Sequence, residues 1–292
     1  GQVSDTNKLR VVTSFLPIQS HTCAIAEEHA FVEQLLEKDS GPHDFQLTPA
    51  TVRKLADADL FIINGAGIED WLDELIKTAS NKDLVIVDTS KGVQLLGNPE
   101  ELGGDALAKG AMNDGSKHGG DKNPHIWLDP LIAIKQARII SNALQKADPA
   151  NASAYETKAK AYIAELEKLD ADYETTLNPL KNKKLVTFHE AFPYLADRYG
   201  LEYIGAISEF PERDPPPQKL AALVDKIKEH EIGVLFSEQG YAPGLLKKIA
   251  DQTGAKVSQL DTLEVGKGHA TAYLDLMRKN LEALQAAFSN ES

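Results

Sequence analysis

The sequence predicts an α/β protein of two lobes, each with a parallel sheet flanked by helices, joined by one long backbone helix. Short apolar runs alternate with helix-length amphipathic segments, and this alternation occurs twice along the 292 residues. Alternation of this kind is typical of parallel strands connected by helical crossovers. One long amphipathic segment separates the two runs, and at roughly 150 residues per domain the chain length also agrees with two lobes.

Eight apolar runs are predicted as strands, four in each half of the chain. They are Leu9–Phe15, Phe31–Leu36, Asp59–Ile63, Leu84–Asp88, Lys184–Phe188, Leu201–Ile207, Gly233–Ser237 and Lys256–Leu260. Helical spacing of apolar residues predicts helices between them. Examples are Pro49–Ala56, Glu69–Thr78, Gln218–His230 and Gly244–Gln252.

The segment between the halves is predicted as one helix from Ala150 to Leu177. Its apolar residues recur at spacings of three and four, which keeps them on one helix face. Asp148-Pro149 supplies a start signal and Asn178-Pro179 a stop. At 1.5 Å per residue, such a helix would be about 42 Å long. The predicted divisions are therefore an N-terminal lobe (1–147), a linking helix (148–179) and a C-terminal lobe (180–292).

Composition excludes several function classes. The net charge of −13 argues against nucleic acid or an anionic membrane as the main partner, because both reward clustered positive charge. The single Cys23 allows no internal disulfide and no cysteine metal cluster, and it does not decide the compartment. The chain opens with polar residues and has no starting Met, which is typical of a trimmed or mature form. We expect a monomer.

The glycine-rich segment Gly97–Asn123 is predicted as a mobile loop. It has almost no large apolar residues, so it cannot bury enough surface to order itself. It contains one histidine, His118.

Four side chains that can bind a metal follow predicted strands or the loop. His189 and Asp261 come directly after strands, His43 lies in a turn after a strand, and His125 ends the glycine-rich loop. Ligands of open parallel sheets bind beyond the carboxyl ends of the strands. We therefore expect these four residues to face one cleft.

Three imidazoles and one carboxylate suit a tetrahedral zinc site, whereas manganese would prefer more oxygen ligands. Four protein ligands leave no open position for water, which favours binding over hydrolysis and predicts that the protein is not an enzyme. Glu238 is the rival carboxylate, and a water molecule could also take the place of Asp261. His21 and His269 are reserve candidates.

Other motifs fail or point to alternatives. The segment Gly65–Asp70 begins like a dinucleotide-binding loop but has Asp70 where the third glycine belongs, and His189-Glu190 begins a zinc-protease motif that lacks its second histidine. A metal-dependent hydrolase with Asp44 or Glu190 as general base is the alternative from another class.

Several segments together resemble the zinc/manganese solute-binding family of ABC importers (cluster A-I, ZnuA/TroA-like). They occur in the family's order and cover nearly the whole chain. They are Thr13-Ser14-Phe15-Leu16-Pro17, Pro42-His43-Asp44-Phe45-Gln46-Leu47-Thr48-Pro49, Asn64-Gly65-Ala66-Gly67-Ile68-Glu69-Asp70-Trp71-Leu72, Pro124-His125-Ile126-Trp127-Leu128-Asp129-Pro130, Phe188-His189-Glu190-Ala191-Phe192 and the region of Asp261.

The resemblance implies two lobes joined by a backbone helix, one metal ion between them, and delivery to a membrane permease in the periplasm or another extracytoplasmic space, either free or lipid-anchored. The family's ligand positions fall on His43, His125, His189 and Asp261. Manganese members tend to have Glu at the third position, so His189 favours zinc as the transported ion, with manganese as the alternative. Zinc members often have a histidine-rich loop, whereas this loop holds only His118. The resemblance also suggests a surface adhesin as a third function, although the sequence has no adhesion motif.

Overall fold

Two four-stranded parallel sheets form the framework of the chain in a computed structural model that describes residues 8–43, 45–98, 122–207, 216–238 and 243–289. The chain divides into two units, each built around one sheet. The first comprises Gly1–Leu95, Asp129–Asp170 and Leu263–Leu276, and the second comprises Leu96–Leu128, Ala171–Thr262 and Met277–Ser292.

The sheet of the first unit has the strand order β2-β1-β3-β4, with all neighbours parallel. Its strands are β1 (Leu9–Thr13), β2 (Ala30–Gln34), β3 (Leu60–Ile63) and β4 (Val85–Asp88). Its helices are α1 (Leu16–Ala26), α2 (Pro49–Ala56), α3 (Leu72–Ala79) and α4 (Pro130–Ala147). All four residues of β3 are buried, as expected of an apolar strand in the middle of a parallel sheet.

The sheet of the second unit has the corresponding order β6-β5-β7-β8, again parallel throughout. Its strands are β5 (Lys184–Thr187), β6 (Glu202–Ala206), β7 (Val234–Glu238) and β8 (Lys256–Leu260). Helices α6 (Pro193–Tyr199), α7 (Pro217–Glu229) and α8 (Pro243–Thr253) belong to the same unit. In both sheets the strand order reverses between two central strands, β1 and β3 or β5 and β7, which is where open α/β sheets bind ligands.

Two helices contribute residues to both units. Helix α5 (Ala152–Leu177) follows a 3₁₀ turn at Pro149–Asn151, and α9 (Ala272–Ser289) ends the described chain. The predicted apolar face of α5 is buried along its length, and its largest members are Tyr155, Tyr162, Leu166, Leu169, Tyr173 and Leu177. No described helix is both long and apolar enough to cross a membrane.

Local sequence signals begin two of the helices of the first unit. Thr48 and Thr51 form a capping box at the start of α2, with Pro49 in the first turn. The Asp129 side chain accepts the backbone N–H of Leu131 at 2.8 Å and caps α4, again followed by proline. Such signals locate the helix ends, which the apolar periodicity alone does not determine.

The predicted fold class is confirmed, and each of the eight predicted strands has an observed counterpart. Helix α1 was not predicted because it has no amphipathic face: nine of its 11 residues are buried, polar ones included. The predicted lobe boundaries stay predictions. The mobile-loop prediction falls on Gly97–Asn123, and the structure describes only the two ends of this segment, where Gly97 and Lys122 form an antiparallel bridge. His118 and Asp44 lie outside the described residues.

His21 is a fully buried histidine of α1. Its Nδ1 lies 2.8 Å from the hydroxyl oxygen of Tyr162, and its ring packs against that of Tyr273 with centroids 4.6 Å apart. Its Nε2 is buried and has no hydrogen-bond partner among the described residues. Burial lowers the pKa of His21 to about 3, so the ring stays neutral at physiological pH. His21, a reserve metal candidate in the sequence, therefore has a structural environment.

We predict that His21 makes the first unit sensitive to acid. In the unfolded chain a histidine is half protonated at about pH 6.5 and takes up more protons below it. Buried His21 stays neutral in the fold down to a pKa of about 3. The free energy of unfolding therefore decreases as the pH is lowered. The loss reaches about 3 kcal/mol at pH 4. Urea unfolding of the zinc-free protein at about pH 7 and at pH 4 measures this loss of stability. His21→Gln should show a shallower loss by about this amount, whereas His230→Gln, at an exposed position, should behave like the parent. Equal pH dependence in parent and His21→Gln would contradict the prediction.

Candidate metal centre

Two histidines meet in the second unit beyond the carboxyl end of its sheet. His189 follows β5 by two residues, and His125 immediately precedes a 3₁₀ turn at Ile126–Leu128. The two Nε2 atoms lie 3.3 Å apart, and both side chains are almost completely buried. Trp127 packs beside His125 and donates its indole N–H to the carbonyl oxygen of Thr262 at 2.8 Å. The pair is thus held in a packed environment.

The partners of the Nδ1 atoms determine what the Nε2 atoms can do. Nδ1 of His125 lies 2.9 Å from Oδ1 of Asn123, and Nδ1 of His189 contacts a carboxylate oxygen of Glu238. Both partner oxygens are acceptors, so a neutral ring at either position would carry its proton on Nδ1 and present a lone pair at Nε2. Two facing lone pairs cannot form a hydrogen bond with each other. A cation between the two nitrogens could bind both.

The spacing of these nitrogens fits zinc. Zinc binds histidine nitrogen at about 2.0–2.1 Å in tetrahedral geometry, which places neighbouring ligand atoms about 3.3–3.4 Å apart. The observed separation of 3.3 Å lies at this value. The two histidines can therefore serve as neighbouring ligands of one zinc ion without rearrangement.

A second potential ligand pair lies in the first unit. Nε2 of His43 is 2.9 Å from Oε1 of Glu264, and the Glu264 carboxylate is buried while His43 is partly exposed. Trp71 supports the turn that precedes His43, because its indole N–H donates to the carbonyl oxygen of Pro42 at 2.9 Å. Phe45 stacks on Trp71 with ring centroids 4.1 Å apart. An imidazole and a carboxylate are both ligands that zinc accepts.

The loop that carries Glu264 is fixed against β2 and α1. The Gln34 side chain donates to the carbonyl oxygen of Gly266 and accepts from the backbone N–H of Gly268, both at 2.8 Å. Leu263 and Gly266 have positive φ angles, 60° and 130°. Any side chain at Gly266 or Gly268 would run into α1. The position of Glu264 is therefore determined by a tightly packed, conformationally restricted loop.

The structure places the predicted site residues in these two pairs with one exception. His125 and His189 are close together in the second unit, and His43 lies in the first unit against Glu264, which the sequence did not predict as a ligand. Asp261 belongs to the second unit, where its backbone N–H and C=O both bond to the Asn280 side chain at 2.8 Å. The only sequence signal for Glu264 is that it follows the end of β8 by four residues, as a second carboxylate after Asp261.

The remaining candidates have other partners. The Glu238 carboxylate accepts the His189 backbone N–H at 3.0 Å and also contacts Nδ1 of the His189 ring. His269 is exposed and lies 3.4 Å from the Thr271 hydroxyl. The hydrolase alternative relied on Glu190, whose backbone carbonyl oxygen accepts the Asn123 side-chain amide at 2.7 Å, or on Asp44, which is outside the described residues.

Comparisons with known proteins decide the family. The model of the family "ZnuA: Zinc-uptake complex component A periplasmic" matches residues 11–287. The high-affinity zinc uptake system protein ZnuA of Bacillus subtilis is 34% identical over 286 residues, which are 97% of this chain and 88% of that protein. The chain belongs to the ZnuA family. The resemblance found in the sequence is thereby confirmed.

Two solved structures extend the comparison. The Zn(II)-bound ZnuA-like domain of Streptococcus pneumoniae AdcA matches with a TM-score of 0.79 and 31% identity, over 97% of this chain and 99% of that one. The solute-binding protein FpvC of Pseudomonas aeruginosa, in complex with Mn²⁺, matches with a TM-score of 0.83 and 26% identity, over 98% and 100%. The family is one of periplasmic substrate-binding proteins rather than enzymes, which favours metal uptake over the hydrolase alternative.

We predict that Gly268→Ala destabilises the first unit. Its new Cβ would lie 2.6 Å from both the Leu16 carbonyl oxygen and Cβ of Gln19, so backbone must shift. Overpacking of this kind costs about 1–3 kcal/mol, measurable by urea unfolding. Gly244→Ala in α8 meets nothing within 4 Å and should leave stability unchanged or slightly raised. Parent-like stability of Gly268→Ala would show that the loop is not packed as described.

Proposed function

We propose that the protein captures one zinc ion outside the cytoplasm and delivers it to the membrane permease of an ABC importer. The observation that carries the proposal is the buried His125–His189 pair, whose two Nε2 atoms lie 3.3 Å apart. Membership of the ZnuA family supports zinc uptake as the role, and its description as periplasmic supports the location. We infer that the protein acts as a monomer and without catalysis.

The proposed ligands are the two pairs, His43 with Glu264 and His125 with His189. Three imidazoles and one carboxylate complete a four-coordinate zinc site and leave no position for a reactive water. That coordination suits an ion that is cargo rather than a catalyst. We propose Glu264 in the place that the sequence prediction gave to Asp261, because its carboxylate lies 2.9 Å from Nε2 of His43, whereas the Glu238 carboxylate contacts Nδ1 of His189.

Zinc is favoured over manganese by the donor atoms. Manganese prefers sites richer in oxygen, and the proposed set has three nitrogens and one oxygen. The relatives support the same choice: AdcA was solved with Zn(II) at 31% identity, and the complex of FpvC with Mn²⁺ is more distant at 26%. Elemental analysis of protein purified without added metal, followed by zinc–manganese competition, tests the choice directly.

We predict that the two pairs bind the same ion. Titration calorimetry should give one zinc per chain. His43→Ala and His189→Ala should each weaken zinc binding by more than about 100-fold, since losing a ligand costs at least as much as losing its outer-shell support. His230→Ala is the control, at an exposed position on the second unit. Two zinc ions per chain, with each alanine variant losing only one of them, would mean that the pairs are separate sites.

We predict that Glu264, not Asp261, supplies the carboxylate. Glu264→Gln should weaken zinc binding strongly because it removes an anionic ligand that lies against His43. Asp261→Asn leaves all four proposed ligands in place and should have a small effect. A competition titration against a chelator measures both. The reverse order of effects would restore Asp261 as the ligand.

A further inference from the structure

The two buried histidines are supported in the same way by different side chains. Oδ1 of Asn123 lies 3.0 Å from the backbone N of His125 and 2.9 Å from its Nδ1. The Glu238 carboxylate likewise contacts the backbone N–H and Nδ1 of His189, with one oxygen for each. Each histidine therefore has an acceptor that fixes both its backbone and its ring.

The two acceptors differ in charge. Their other contacts determine which of their atoms face the histidines. The Asn123 amide donates from Nδ2 to the Glu190 carbonyl oxygen at 2.7 Å, which leaves Oδ1 for His125. Asn123 is neutral. Glu238 is a carboxylate, about 3% exposed, whose oxygens face two N–H groups of His189. One imidazole is thus supported by an amide dipole and the other by a buried anion.

We propose that Glu238 is the positioning residue that makes His189 the stronger of the two buried zinc ligands, an inference that rests on the function proposed above. A carboxylate that accepts the Nδ1 proton draws that proton away from the ring and increases electron density at Nε2. Its effect is larger than that of an amide because hydrogen bonds to a charged acceptor are stronger, and burial reduces screening by water. Glu238 acts through His189 and is not itself a ligand.

The same carboxylate also prevents the wrong tautomer. A carboxylate has no proton to donate, so His189 cannot keep its proton on Nε2 without leaving Nδ1 facing an anion. Glutamine at this position can donate from its amide nitrogen. His189 could then move its proton to Nε2 and donate it to Nε2 of His125, 3.3 Å away. That hydrogen bond between the histidines would compete with zinc.

The first test uses the unaltered protein. Nitrogen-15 spectra of the imidazoles in zinc-free protein at about pH 8, where an ordinary histidine is neutral, report which nitrogen carries the proton. We expect the Nδ1–H form for both His125 and His189. An Nε2–H form of His189 would overturn the proposal without any variant having to fold.

The second test compares Glu238→Gln with Glu202→Gln, which removes an exposed carboxylate from β6 of the same sheet. Glu238→Gln should weaken zinc binding about 10- to 100-fold and shift His189, but not His125, toward the Nε2–H form. Glu202→Gln should change neither. A Glu238→Gln variant with parent-like zinc affinity and an unchanged His189 tautomer would overturn the proposal.

His189→Ala separates this inference from the proposed function. If His189→Ala leaves zinc binding intact, the proposed site itself is wrong. If His189→Ala abolishes binding while Glu238→Gln has no effect, the site stands and only the role of Glu238 fails.

Discussion

The close approach of Nε2 of His125 and Nε2 of His189 is the constraint on which the proposed site depends. Two neutral imidazoles whose Nδ1 atoms are both occupied have nothing to offer each other at 3.3 Å except repulsion between acceptors. Both side chains are almost completely buried, and a cation between the two nitrogens would replace that repulsion with two favourable bonds. The protein holds this unfavourable geometry through strand ends, an amide and a carboxylate. A pre-formed site of this kind loses little affinity to rearrangement when the ion arrives.

The two sheets have the same strand order but use their carboxyl ends differently. In the first unit, Glu69 accepts the backbone N–H groups of Asn64 and Gly65 at 2.7 and 2.9 Å, and Gln136 donates to Asn64. Burial raises the pKa of Glu69 to about 7. Its oxygens accept hydrogen bonds from the backbone of the turn at Asn64 and Gly65. The polar groups there fix backbone. In the second unit the corresponding edge presents His189 and Glu238, and the Glu238 carboxylate contacts the His189 ring at Nδ1. The carboxyl end of the sheet thus fixes the backbone of a turn in the first unit and carries a proposed zinc ligand in the second.

Sequence reasoning succeeded where the information was periodic and failed where it depended on packing. The strands, α2 and α5 follow from apolar spacing and caps. Position after strands or a loop singled out three histidines, whose role as zinc ligands stays a proposal. Helix α1 escaped because it is buried on all sides, which removes the amphipathic signal. Glu264 escaped because its placement depends on a positive φ at Leu263 and on the close approach of Gly266 and Gly268 to α1. Periodicity carries no information about either.

The supports of the two buried histidines show where sequence-based prediction of a metal site reaches its limit. Asn123 lies two residues before His125 and contacts both its backbone N–H and its ring. The histidine and its supporting acceptor therefore lie within three consecutive residues, Asn123-Pro124-His125, and can be recognised as a motif. Glu238 does the same for His189 across 49 residues. Only the parallel pairing of β5 with β7 brings them together, through the register Thr187 with Phe236. Ligand histidines are therefore visible in a sequence because strand ends place them, while the residue that sets their strength is found only once the sheet order is known.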